Sequence, residues 1–136
     1  MIEITLFVCD SAQVYQGKLS VLGAAWSHIP MGAPSALAAI LEISSEQPLT
    51  KVQAVLDCVD QDGHPYCPDG TNPLVLQADI EVAKPVGVLA GAPQRFPLAF
   101  NFPPVFNKAG RFTWRLTIDQ TVAATSFEVT PANYMK

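Results

Sequence analysis

Apolar and polar residues alternate along most of this chain with a period of two, the spacing of a strand that buries one face. The clearest case lies near the C-terminal end. Phe112, Trp114, Leu116 and Ile118 share one face of a segment whose other face carries Arg111, Thr113, Arg115, Thr117 and Asp119. A short polar turn follows, and then Ala123, Thr125, Phe127 and Val129 line up in a second arm. The pattern predicts a β-hairpin. With a loop at 119–122, Phe112 stands opposite Val129 and Trp114 opposite Phe127, so both apolar rows meet on one side.

The same period runs through the rest of the chain. Residues 2–9 put Ile2, Ile4, Leu6 and Val8 on one face, and 10–17 reads as a turn region. Residues 18–29 form a second predicted strand, apolar on both faces, as expected of a central strand or one covered by a neighbouring chain. Gly23 within it signals a bulge or a close backbone approach. The run 35–44 (SALAAILEIS) suits a buried strand or a short alanine-rich helix, and the strand is preferred because Pro34 and Pro48 bracket it. In 51–59, Val52, Ala54, Leu56 and Cys58 point inward; in 74–83, Leu74, Leu76, Ala78, Ile80 and Val82 do. Residues 60–73 form a polar loop, and 84–95 a connection punctuated by Pro and Gly. Phe96, Leu98, Phe100 and Phe102 share a face, but Pro97 and Pro103 cannot donate to a ladder, which leaves one side of that strand unpaired or bulged.

Eight short strands and no firm helix predict an all-β fold. Its expected form is a two-sheet antiparallel sandwich, immunoglobulin-like or a related Greek key, in one domain spanning 1–136. The 136-residue length suits one such core. Charged residues make up only 15%, against about 25% in an average soluble domain. With a mean hydropathy of +0.24, some apolar surface should remain for self-association or a partner. The net charge of −4 and singly scattered Lys and Arg leave no cationic groove for nucleic acid. The N-terminal run is cut by Glu3 and Asp10, and no window approaches the roughly 18 apolar residues of a membrane span. A cytoplasmic protein is expected. Cys9, Cys58 and Cys67 are odd in number and fit reduced thiols better than a disulfide framework.

The segment Gly110-Arg111-Phe112-Thr113-Trp114-Arg115-Leu116 resembles the penultimate strand of many immunoglobulin-like sandwiches. It differs in lacking a tyrosine-corner hydroxyl at Phe112 and in having Trp114 where the disulfide cysteine would stand. A wider resemblance rests on Asp10-Ser11-Ala12-Gln13-Val14, on Gly17-Lys18-Leu19-Ser20-Val21-Leu22-Gly23 with Trp26, and on the closing hairpin. In these motifs the chain is similar to an uncharacterised family of short bacterial proteins. That resemblance implies a bacterial β protein and carries over no catalytic residue.

Candidate chemistry is sparse. Asp57, Asp60, Asp62 and Gly63 have the residue types of a calcium loop, but Asp57 is out of register and Thr71 stands where the closing Glu would fall. A structural turn is the simpler reading. Cys58, His64 and Cys67 offer soft ligands without paired spacing. His28 and His64 are the only histidines and neither accompanies a nucleophile motif, so no catalytic, cofactor-binding or metal residue is nominated. The outer row of the hairpin, Arg111 and Arg115 with Glu128 diagonally across, is a candidate docking surface. Trp26, Phe7 and the segment 86–93 either add exposed apolar area or pack beneath loops. The expected function is a non-catalytic interaction or structural module, with a protein partner or a second copy of itself. The alternative is a small-ligand or enzymatic sandwich that uses the loops at 60–73 and 84–95.

Overall fold

The alternating segments form two packed sheets in the computed structural model, which describes residues 2–44, 51–82, 87, 89 and 92–131. Ten strands occur among them: β1 (Ile2–Cys9), β2 (Ser11–Tyr15), β3 (Lys18–Leu22), β4 (His28–Pro30), β5 (Ser35–Ile43), β6 (Lys51–Asp60), β7 (Val75–Glu81), β8 (Gln94–Phe102), β9 (Gly110–Ile118) and β10 (Thr121–Thr130). No helix appears among the described residues. The sheets are ordered β1-β5-β8 and β4-β10-β9-β6-β7, and β2 and β3 form a separate two-stranded hairpin. The expected sandwich is present, with ten strands in place of eight and with one parallel pairing, β4 with β10.

The core lies between the two larger sheets. Leu37, Ala39, Leu41 and Ile43 of β5 face Val52, Leu56, Trp114, Leu116 and Ile118 across the gap, all within one buried cluster. The other face of β5 is buried as well. Ala36 and Ala38 pack with Cys9 and Ala12 in a second cluster, flanked by Phe7, Leu19, Val21 and Ala99. The β2–β3 hairpin therefore covers the outer face of the three-stranded sheet as a third layer. Burial on both faces explains why 35–44 shows no polar alternation, and its strand reading holds. The small side chains of Ala36 and Ala38 let the hairpin sit close.

Residues 10–17 are not a plain turn, and 18–29 is not one strand. Ser11–Tyr15 pairs with Lys18–Leu22 around Gln16 and Gly17, both at positive φ (51° and 73°), as a two-residue type I′ loop requires. Left-handed residues at Gly23 (φ 60°) and Ala25 (φ 63°) then break the chain before β4. The sequence points to a bulge or a close backbone approach at Gly23; its close neighbour is instead a side chain, the Asp10 carboxylate, which an added Cβ would meet. Since β3 pairs only with β2, it is not a central strand.

The closing hairpin keeps its predicted faces but shifts its register by two residues. Phe112 faces Phe127 and Trp114 faces Thr125, because the turn is only Asp119 and Gln120. Asp119 accepts a left-handed φ of 53°, which permits the tighter loop. An even shift leaves each side chain on its own face. Phe112, Trp114, Leu116 and Ile118 are at most 2% exposed.

Candidate functional site

Three regions could carry function. The first is the loop end of the sandwich. Asp60 closes β6, and its Oδ1 accepts the backbone N–H groups of Asp62 and His64, both at 3.0 Å. These bonds pull its pKa down, the His64 amide contributing most. Asp60, Asp62 and His64 bring one ligand atom each to within 4.8 Å of one another. Three exposed or half-exposed donors, one already engaged by backbone, fall short of a closed zinc or calcium shell. The Cys58–His64–Cys67 combination does not assemble. Cys58 points into the core, where burial, followed by the nearby Asp57, pushes its thiol up to about 12. Cys67 instead lies 3.8 Å from the Pro65 carbonyl.

The polar loop 60–73 is used to close the core. Tyr66 is only 6% exposed; its ring stacks on Phe106 at 5.3 Å and meets Phe112 edge-on at 4.8 Å. Its hydroxyl donates to the Val105 carbonyl at 2.7 Å and lies 3.0 Å from Asn107 Oδ1. Asn107 Nδ2 in turn donates to the Pro68 carbonyl. Sequence alternation singled out neither Tyr66 nor Phe106, because both sit in loops without a period. The hollow left between this loop and 108–112 measures about 70 Å³, well below the roughly 300 Å³ at which small-molecule sites begin.

The second region is the outer face of the five-stranded sheet. Arg115 makes a two-point bond to Asp57 on β6, both contacts at 2.8 Å. The diagonal pairing with Glu128 therefore does not form. Arg111 and Glu128 stand directly opposite in the ladder, and Arg111 has no ion pair among the described residues. Thr113 and Ser126 share a hydroxyl hydrogen bond of 2.8 Å. Beside them an open polar hollow of about 330 Å³ is lined by Ser27, His28, Arg111, Ser126, Glu128 and Thr130. It mixes cation and anion and has little apolar wall, which suits solvent as well as any ligand. Phe7 and Trp26 add no exposed patch: Phe7 packs under the β2–β3 hairpin, and Trp26 meets Phe127 edge-on at 5.7 Å. Most of 84–95 lies outside the described residues.

The third region is where the sheets separate. On one side of the sandwich β1 packs against β10. On the other, β7 and β8 leave an apolar groove of about 130 Å³. Leu76, Ala78 and Ile80 of β7 form one wall, Leu98 and Phe100 of β8 the other, and Ala54, Leu56 and Leu116 the floor. Leu76 and Val75 are 42% and 43% exposed. Among the described residues β7 pairs only with β6, and β8 only with β5. The alternation at 74–83 puts Leu74, Leu76, Ala78, Ile80 and Val82 inward; Val82 is buried and Leu74 and Ile80 are half-buried, but Leu76 and Ala78 are exposed because the row ends at an opening.

Residues 4–130 match the family of unknown function DUF6941, and the chain belongs to that family. No curated protein matches the chain. Among solved structures, the Pseudomonas fluorescens alkylpurine DNA glycosylase AlkC, bound to DNA containing an abasic site analog, is similar over 95% of this chain with a TM-score of 0.52 and 16% identity. The likeness spans 30% of that longer protein and shows a shared fold.

Proposed function

We propose that this member of the DUF6941 family is a non-catalytic interaction module that receives a partner protein at the open edge of its sandwich, between β7 and β8. One observation carries the reading: a seven-residue strand, β7, has a backbone edge that no described residue pairs, beside an apolar groove. Exposed strand edges are normally blunted, since they invite pairing with another chain. The other edges here are blunted. β4 has three residues. The Val8 carbonyl of β1 accepts the Ala25 N–H at 2.8 Å. β8 carries Pro97 and lies beneath the β2–β3 hairpin, whose Ala12 backbone is bonded by the Asn101 side chain. Among the described residues β7 has no proline, bulge or covering element.

The alternative of a ligand or enzyme site in the loop at 60–73 is weakened, because that loop is spent on closing the core. Nucleic acid is disfavoured despite the DNA-bound neighbour. This chain has a net charge of −4, and Arg115 is neutralised by Asp57. The three free cysteines, two of them buried, fit a reducing cytoplasm, and the sequence resemblance supports a bacterial one.

The test is site-specific cross-linking in an extract of the source cells. A photoreactive residue replaces Leu76, or, as a control, Leu22, which is 70% exposed on the hairpin. A discrete protein adduct from position 76 and none from position 22 is expected. Equal adducts from both positions, or none from 76, would contradict the reading.

A further inference from the structure

We infer that β7 takes an added strand, and that its occupant is an extended peptide whose apolar residues alternate with basic ones. The inference rests on the docking reading above and names the partner's chemistry. In an antiparallel sheet alternate residues of an edge strand turn their N–H and C=O groups away from the existing partner. β7 therefore offers backbone hydrogen bonds along Val75–Glu81 that only another extended chain can match residue by residue. A strand laid there continues the five-stranded sheet, and every second side chain points toward the groove bounded by Leu76, Ile80, Leu98 and Phe100. Those side chains must be apolar, since the groove walls present almost no polar atoms.

The intervening side chains meet the opposite face of β7. Its residues there are Val75, Gln77, Asp79 and Glu81, in register with Asp57, Val55, Gln53 and Lys51 of β6. Asp79 and Glu81 make no ion pair among the described residues. Arg95 lies on the other face of β8 from Leu98 and Phe100, where it is engaged by Glu42 at 2.9 Å. With Lys51 opposite Glu81 and neutral Gln53 opposite Asp79, the β7 rim keeps one carboxylate in excess, and cations at alternate positions complement it. Apolar burial supplies affinity, the ladder sets direction, and the carboxylates select against an acidic strand.

The experiment uses the full chain and three labelled peptides of about nine residues, near the upper range of ordinary strands. One alternates Val and Lys, one alternates Val and Glu, and one has the Val/Lys composition in two blocks. Saturable binding of the alternating Val/Lys peptide is expected, with β7 amide exchange slowed and affinity for each control at least about tenfold weaker. The Asp79→Lys/Glu81→Gln variant changes only exposed side chains and sets no like charge opposite Lys51. It should keep the wild-type melting curve and prefer the Val/Glu peptide. Equal binding of all three peptides, or protection at strands other than β7, would overturn the inference. So would a β7-mediated dimer that excludes the peptide, since the occupant would then be a second copy. A protein cross-linked from position 76, with no Val/Lys peptide binding, would overturn this inference and leave the docking reading standing. Failure of both experiments would remove both.

Discussion

Phe106 belongs to no strand, yet it holds the loop end of the sandwich together. Its ring lies 5.1–5.8 Å from those of Tyr66, Phe112, Trp114 and Phe127, and it is 1% exposed. It joins two loops to both arms of the closing hairpin. Phe106→Ala leaves a cavity among rings that strands hold in place, so little collapse can refill it. A loss of about 3–5 kcal/mol in urea unfolding is expected. A loss below about 1 kcal/mol would mean that the cluster is not a unit. A second residue-scale prediction concerns pH. Asp69 is held down to about 2, chiefly by the Asn72 amide and then by that of Thr71, bonds of 2.7 and 2.8 Å. Its unfolded value is about 3.9. The folded pKa is depressed, so its contribution is fully present above about pH 4 and fades as pH falls toward 2. Amide exchange at Thr71 and Asn72 should show protection at pH 5 that Asp69→Ala removes, and the difference between wild type and variant should shrink as pH falls through about 2. Protection in the variant at pH 5 would contradict this.

At the scale of elements, the β2–β3 hairpin is held by small contacts that leave little trace in a hydrophobic pattern. Asn101 on β8 accepts from the Ala12 N–H at 3.1 Å and donates to the Ala12 carbonyl at 2.7 Å, as a backbone partner would. Asn101→Leu deletes both bonds and leaves two half-buried backbone groups unmatched. The expected cost is about 1–3 kcal/mol, with faster exchange at Ala12 and little change in β6 or β9. Uniform loosening of the whole chain would argue that the hairpin is no separate layer. This element also marks the limit of the pattern. In β1, β6 and β9, large apolar residues alternate with polar ones, and the faces could be read directly. In β2 the buried residue is alanine, Ala12, between Ser11 and Gln13, so period two had no contrast and the strand read as a turn. The hairpin register slipped for a related reason. Asp119-Gln120 lacks the Asn-Gly signature of a two-residue loop, and only the left-handed φ of Asp119 reveals it.

At the scale of the whole molecule, three layers stack as hairpin, three-stranded sheet and five-stranded sheet, and among the described residues the two larger sheets close on the β1–β10 side only. Alternation assigns a residue to a face and says nothing about what covers that face. Leu76, Ala78 and Ile80 could be read as core, but the opening between β7 and β8 depends on sheet order. The metal reading draws on three residues within ten positions of one another, Cys58, His64 and Cys67. Strand geometry sends the first inward, whereas the loop leaves His64 exposed and Cys67 half-buried. Docking of the partner at the β7–β8 edge, as proposed, is tested most directly by residue-resolved amide exchange with and without the partner cross-linked from position 76. Slowed exchange confined to 75–81, with shifted signals at Leu98 and Phe100, is the predicted result. Unchanged β7 amides with protection around Arg111, Ser126 and Glu128 would place the docking surface on the outer sheet face and contradict the account.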